Sequence, residues 1–430
     1  MSISTRDFAC EEKVIKPMEA DQLIRGFLFA CTKKTETECL EGRLFAADRS
    51  YGPIVVRVRK GDLLFLNNLD TDTIHGVFEA ISDGRFNIEP HAFDRQYPYQ
   101  VRVKSLGRVI TLDEAKKLLS RFKVKRNTPL FRQRLVDVLG VFISTPKQLS
   151  STAKPQLETT YELIQEQVEK IQNTKANVDI EEEIPIIEST TLWDFPRQSY
   201  GLTPKGDNKY AGVTPALIIY NMVWRYTEPG DLVVDPMCGS GTTIDVCKAE
   251  KRRVIGYDIS PTRPDIIQND ARKIPLDGNS VDMVFIDSPY GDNIKYSQHP
   301  DDIGHISSES EEFYDELEKV MEQSHRILKE GKVLGWLIGD QWVRKKFTPV
   351  GFRIYDRLCK YFEPVEIICV TRRGQHSNTV VWHNRARRFN FYLRGFKYLI
   401  IVRKNSRKSE PSQGRRIKWA YYDRNKSGKV

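Results

Sequence analysis

Cysteine is scarce and scattered in this chain. The 430 residues hold seven, Cys10, Cys31, Cys39, Cys238, Cys247, Cys359 and Cys369, and no two are spaced as Cys-x-x-Cys. No Cys/His set has zinc-ligand separations either, so neither a metal nor a disulfide framework is expected, and the thiols read as reduced and mostly packed. Long apolar runs are also missing. Those such as Tyr398–Val402 fall far short of a bilayer span, which takes about 20 residues. The opening stretch, MSISTRDFACEEKV, carries acidic groups and no apolar core. No secretory signal is therefore expected, and a cytoplasmic location is. No internal repeat appears, which excludes a solenoid.

Hydrophobic residues make up 40% of the chain, enough for sizeable cores, and the length suits two or three domains. The formal net charge is +9. That excess favours a polyanionic partner without proving one.

Residues 21–104 read as β-rich: apolar or alternating runs such as GRLFAADRSYGPIVVRV, GDLLFLNNLD and YQVRVKSLGRV are divided by Gly, Asp and Asn. TLDEAKKLLSRF then predicts a helix, with Thr111 as its cap and Glu114 three residues on. Residues 128–142 predict another. The segment 144–156 is rich in Ser, Thr, Lys and Pro and suits a linker. A helical pattern follows in LETTYELIQEQVEKIQNTK, read as solvated, then an acidic patch from Asp179 to Glu183. From about Ile184 to Lys404, short apolar strands (DLVVDP, RRVIGYD, DMVFID, KVLGWLIGD, EIICVTR) alternate with helical stretches. Such alternation predicts a mostly parallel sheet wrapped by helices. The expected division is 1–143, a linker with a helix at 144–184, an α/β domain at 185–404, and a basic flexible tail at 405–430.

The informative stretch is DLVVDPMCGSGTTIDVCKAEKRRVIGYDIS. A strand ends at Asp235. A turn follows with Gly239, Ser240 and Gly241, and a helix starts at Thr242. Ligands of open α/β sheets bind beyond the carboxyl ends of the strands, and glycines there let the backbone come close. A second strand ends at Asp258, placed to accept hydrogen bonds from both hydroxyls of a ribose. The turn is not Gly-x-Gly-x-x-Gly and lacks the lysine of a phosphate-binding loop. A third strand end brings Asp270, a candidate for the amino group of an adenine, although a plain turn aspartate fits nearly as well.

A fourth strand runs into Asp287-Ser288-Pro289-Tyr290-Gly291. These are all turn formers, but after the glycine unit they also suit one chemical problem, methylation of an aromatic amine. The amino nitrogen of a base is a poor nucleophile because its lone pair is delocalised into the ring. The Asp287 carboxylate and the Ser288 carbonyl can accept its hydrogens, draw it towards tetrahedral geometry and aim the lone pair. Pro289 stiffens the loop, and Tyr290 offers a face to a base that has left its helix.

The two motifs resemble the amino-methyltransferases of the N-4/N-6 nucleic-acid family. DPMCGSGT is similar to that family's Asp-Pro-Phe-x-Gly-Ser-Gly-Thr signature, and DSPYG to its Asp-Pro-Pro-Tyr or Ser-Pro-Pro-Tyr signature. The likeness extends over residues 185–404, through TTLWDFPRQSYG, KGDNKYAGVTPALIIYNMVWRYTEPGD, EEFYDELEKVMEQSHRILKEGKVLGWLIGD and FYLRGFKYLIIVRK, and looks most like the cytosine branch. It implies a Rossmann-like fold with S-adenosylmethionine as cofactor. It also implies cofactor contacts at Asp235, Pro236, Cys238, Gly239, Gly241, Thr242, Asp258 and Asp270, and catalysis by Asp287, Ser288, Pro289 and Tyr290. Met237 stands where the family has an aromatic, and Ser288 where many members have a first proline. The glycine motif precedes the catalytic one, an order that RNA guanine-amino methyltransferases share. The first 105 residues resemble instead the plant development and cell death domain. The likeness rests on RGFLFACTKKTETECLEGRLF, DLLFLNNLDTDTIHGVFEAISDG and FNIEPHAFDRQYPYQVRVK. That resemblance implies a β-barrel-like α+β module related to base-reading PUA, EVE and YTH barrels, acting as a nucleic-acid reader or, equally, as a protein-interaction module.

Residues 371–376 and 383–394 mix cations with aromatics. Arg372, Arg373, Arg385, Arg387, Arg388 and Arg394 are the candidates for gripping a strand through its phosphates. Trp382, Phe396 and Tyr398 are assigned to core. The leading expectation is DNA amino-methylation, with cytosine before adenine, in a modification or defence system that could include an endonuclease partner. RNA methylation is the second expectation, and a non-catalytic reader the third.

Overall fold

The computed structural model describes residues 23–144, 154–173, 184–343, 346–373 and 379–405. Of the expected linker 144–156, residues 145–153 lie outside the described residues, as do the acidic patch and the tail from residue 406 on, while Ser144 ends one helix and Lys154 begins another. The chain divides into two compact units, Met1–Ile186 and Ile187–Val430.

The first unit is built on β1 (Gly26–Cys31), β2 (Leu44–Ala47), β3 (Leu63–Asn68), β4 (Thr73–Ala80), β5 (Arg85–Phe86) and β6 (Tyr99–Leu112). Their order is β1-β3-β4-β6-β2, with β5 also on β6. The 14-residue β6 pairs with β4 along its second half and with β2 and β5 along its first. One strand that changes partners in this way curls the sheet, giving the expected barrel-like form. Helices α1 (Lys33–Glu41), α2 (Gly52–Val55), α3 (Ala115–Arg121), α4 (Arg132–Ser144) and α5 (Lys154–Asn173) complete the unit.

Two readings change here. Thr111 caps no helix: it lies within β6, where its hydroxyl pairs with His75 Nδ1 at 2.9 Å, and α3 begins only after Glu114. Strand pairing with β4 outweighs local capping chemistry. Nor is α5 merely solvated. Leu157, Ile164, Val168 and Ile171, at helical spacing, are buried in the same core as Phe65 and Phe142, because an apolar stripe that wide is better covered than wet.

The second unit holds β7 (Leu192–Trp193), β8 (Leu232–Asp235), β9 (Arg253–Asp258), β10 (Ile267–Gln268), β11 (Val281–Asp287), β12 (Leu328–Ile338), the small hairpin β13 (Gln341–Val343) and β14 (Lys346–Thr348), β15 (Glu363–Thr371) and β16 (Phe396–Arg403). Its helices are α6 (Ala216–Tyr226), α7 (Thr242–Ala249), α8 (Glu311–Ile327), α9 (Val350–Leu358) and α10 (Val380–Arg388). The main sheet runs β10-β9-β8-β11-β12-β16-β15-β7. β8 to β12 are mutually parallel, while β16 is antiparallel to both of its neighbours. The central strands are apolar on both faces, as strands covered by helices on each side must be: Val233, Val234, Met283, Val284, Phe285 and Ile286 are all buried. α8 turns Phe313, Leu317, Val320 and Met321 onto the sheet and holds its first turn by a Ser310 cap that accepts the Glu312 N–H at 3.2 Å. From β8 the chain steps outward to β9 and β10, then returns to lay β11 on the other flank of β8. That reversal opens a crevice beyond the ends of β8 and β11.

Candidate active site

Both sequence motifs begin at this reversal point. Asp235 ends β8 and Asp287 ends β11, and the two strands are hydrogen-bonded neighbours. Their following loops line one cavity of about 720 Å³, shared with Asp258, Asp270, Arg372 and Lys397. That volume lies within the range of small-molecule sites.

The glycine turn is held from within. Asp235, almost fully buried, accepts the Thr243 hydroxyl and, at 3.0 Å, the Met237 N–H. Gly239 adopts φ +48°, and a Cβ there would stand 3.0 Å from the Tyr210 ring. Its N–H donates to Asp258 Oδ2 at 2.9 Å, while Asp258 Oδ1 accepts the Ser260 N–H at 2.9 Å. A carboxylate has acceptor capacity beyond two such bonds, and Asp258 lines the cavity. Pro236, Cys238, Gly239, Thr242 and Asp270 all reach the cavity wall. Gly241 does not. A Cβ on it would strike the Arg263 guanidinium, which is clamped to Asp245. Asp270 faces the cavity with its carboxylate already paired to Arg272.

Burial pushes the Asp235 carboxyl up to about 7, against the pull of its bonds from Thr243 and Met237. The folded state therefore holds a proton that the unfolded chain, near 3.8, gives up. The stability due to this group is full below about pH 4 and is lost as the pH rises through 7. Thermal denaturation midpoints should accordingly fall by several degrees between about pH 5 and pH 8. Asp235→Asn, which mimics the protonated acid, should flatten that decline. Parallel falls in the two proteins would contradict the assignment.

The second loop is tied down as firmly. Asp287 Oδ2 accepts the Thr214 hydroxyl at 2.7 Å and lies 3.6 Å from the Lys397 ammonium, while Oδ1 accepts the Tyr290 hydroxyl at 3.0 Å. Tyr290 packs against Gly339, with Lys397 Nζ 5.2 Å from its ring centre. Burial raises the Tyr290 phenol far above its ordinary value, so it stays protonated and donates. Ser288 turns its side chain to the core, where its hydroxyl accepts the Trp336 indole N–H at 3.0 Å. Ser288 as a whole is buried and is not among the residues that line the cavity, unlike Asp287, Pro289 and Tyr290 on either side of it. Pro289 lines the wall.

Among the cavity residues that escaped sequence reasoning are Tyr210, Thr214, Tyr296, Trp382 and Lys397. Thr214 and Lys397 lie 73 and 110 positions from Asp287 in the chain, and only the sheet brings them to it. Tyr210 and Tyr296 are stacked, their ring centres 6.1 Å apart.

The basic candidates divide. Arg372 and Arg373 reach the cavity, and Arg373 forks onto Asp194. Arg385, Arg387 and Arg388 lie on exposed α10, and Arg394 follows it with its guanidinium 5.2 Å from the Phe347 ring. Trp382 and Phe396 are not core: they are 39% and 43% exposed. Helix α10 buries no residue, so its apolar side chains have no sheet to cover, and Phe396 begins β16 at its open end. Tyr398 is half-buried and donates to Asp340 at 3.0 Å.

A parallel sheet with this reversal and an antiparallel β16 is a Rossmann-like fold. Residues 25–132 match the development and cell death domain family, so the first unit carries that domain. The plant protein NRP-B of Glycine max, named as a DCD domain-containing protein, is 38% identical over 103 residues, 23% of this chain and 31% of its own. The Type II methyltransferase M.Cfr9I of Citrobacter freundii is 40% identical over 55 residues, 13% of this chain and 18% of its own. The DNA adenine methyltransferase YhdJ of Escherichia coli K12 is 36% identical over 69 residues, 16% of this chain and 23% of its own. This chain thus spans less than a third of the length of each of these three. Among the described residues, no helix is long and apolar enough to cross a membrane, and no group of three His, Cys, Asp or Glu is placed to hold a metal ion.

Proposed function

We propose that this chain methylates an exocyclic amino group of a nucleic-acid base, with S-adenosylmethionine as donor. DNA comes first as substrate, with the 4-amino group of cytosine ahead of the 6-amino group of adenine. The observation that carries the reading is the shared cavity: a glycine turn with a ribose-ready carboxylate and an Asp-Ser-Pro-Tyr loop stand at the ends of adjacent strands. The likeness to Type II and DNA adenine methyltransferases supports it.

The donor fits what is present. Asp258, Asp270 and Ile259 line the wall beside the glycine turn, and a carboxylate such as Asp258 can accept more bonds than the two it takes from Gly239 and Ser260. When bound, the donor supplies a methyl group on a sulfonium, already attached to a good leaving group. The chain's own residues do the rest. Asp287, held on one side by Thr214 and on the other by Tyr290, accepts an amino N–H of the base, and the motif alone assigns the other to the Ser288 carbonyl. The nitrogen lone pair is thereby localised and aimed. As the nitrogen gains the methyl it sheds a proton, for which the Asp287 carboxylate is the nearest acceptor. Pro289 and the Trp336 anchor of Ser288 keep the loop from relaxing.

The test is label transfer. Full-length protein, tritiated donor, and amplified DNA or transcribed RNA free of modifications should give acid-insoluble label that DNase removes. Label that RNase alone removes would shift the substrate to RNA. Label in neither polymer, with the donor still bound, would leave a non-catalytic reader.

A further inference from the structure

Trp382 lines two hollows at once. On one side is the catalytic cavity. On the other is a more open hollow of about 610 Å³, walled by Val381, Arg385, Arg388, Phe389 and Phe391. Its surface is apolar and cationic together. Val381 and Phe389 are 59% and 63% exposed, the Arg385 guanidinium lies 5.2 Å from the Trp382 ring centre, and that of Arg388 lies 5.4 Å from the ring centre of Phe389. Helix α10 has no acidic residue, so the face invites a polyanion carrying flat apolar groups. The indole is common to both hollows, so a strand that enters the first passes beside the second.

We propose that this hollow is a second base site, which receives the unpaired nucleotide next to the one being methylated. The inference rests on the amino-methyltransferase reading for the first hollow. Neighbouring bases in a strand are about 3.4 Å apart, roughly one ring's thickness. Trp382 stands where a ring inserted between two bases would hold them apart, one in the catalytic cavity and one over Phe389. Arg385 and Arg388 take the phosphates that flank the second base. A paired neighbour cannot cross the indole wall, so the site selects unpaired strands.

The experiment uses full-length protein and a fluorescent 20-nucleotide mixed-sequence probe, offered as single-stranded DNA, as the same sequence in RNA and as blunt duplex DNA. Anisotropy should show at least tenfold tighter binding of an unpaired strand than of the duplex, and the two single-stranded arms identify the polymer. Trp382→Ala should weaken that binding about tenfold, Trp382→Phe by no more than about threefold, and R385Q with R388Q should lower its salt dependence. Thermal denaturation midpoints within about 2 °C of the wild type in all three show that they fold. Equal binding of duplex and single strand, or wild-type binding by Trp382→Ala, overturns the proposal. So does a concentration-dependent dimer that Trp382→Ala dissolves, since a second copy would then own the face. These binding results are independent of methyl transfer: a protein that binds as described but labels no polymer sinks the reading of the first hollow and spares the second.

Discussion

Asp287→Ala will reduce methyl transfer by about a thousandfold or more while leaving donor affinity within about twofold. The carboxylate is the only side chain at the end of β11 that can accept an amino hydrogen, and nothing else in the loop replaces it: the Ser288 hydroxyl is spent on Trp336 and the Tyr290 hydroxyl on Asp287 itself. Donor binding is spared because the contacts expected of it come from the ends of β8, β9 and β10. Asp287→Asn is the sharper comparison. It preserves the size of the side chain and the bond from Thr214, but offers one acceptor oxygen where two stood. It should keep a small, measurable fraction of the wild-type rate. Single-turnover transfer beside calorimetric donor titration separates the two quantities. Full activity in Asp287→Ala would remove the catalytic assignment altogether.

Asp258→Ala should act in the opposite way, weakening donor binding about 30- to 100-fold. Two charge-assisted hydrogen bonds to ribose hydroxyls would be lost, each contributing about 1.5 kcal/mol or less after competition with water. The same change also frees the N–H groups of Gly239 and Ser260, so the turn itself loosens. At saturating donor much of the transfer rate should return, because no group at the end of β11 has moved. Titration of donor into the variant checks this. An unchanged dissociation constant would place the ribose elsewhere in the cavity.

Much of the second unit could be read from the chain because its strands are short, apolar and buried on both faces, and because two motifs mark their ends. The pairing of β8 with β11 is what converts two local motifs into one site; the alternation of strands and helices implied a parallel sheet but not this strand order. Contacts of long sequence separation were harder. Thr214 precedes a helix as an ordinary Thr-Pro step, and Lys397 sits in an apolar strand whose period gives no hint that its ammonium meets Asp287. The Arg263 guanidinium beside Gly241 is likewise a contact that the glycine motif does not reveal. Trp382 was misassigned because a large aromatic is usually buried, and the bare cationic helix around it becomes visible only once its packing is known. In the first unit, Thr111 shows a local signal losing to a strand that continues through it.

The most direct measurement is the chemical identity of the methylated nucleoside. Unmodified DNA and RNA, each incubated with the full-length protein and S-adenosylmethionine, are digested to nucleosides and resolved by mass spectrometry. The account predicts a base methylated on its amino nitrogen, N4-methylcytosine before N6-methyladenine, and none with Asp287→Ala. A methyl group on a ring carbon, on a ribose oxygen or on no nucleoside at all would contradict it.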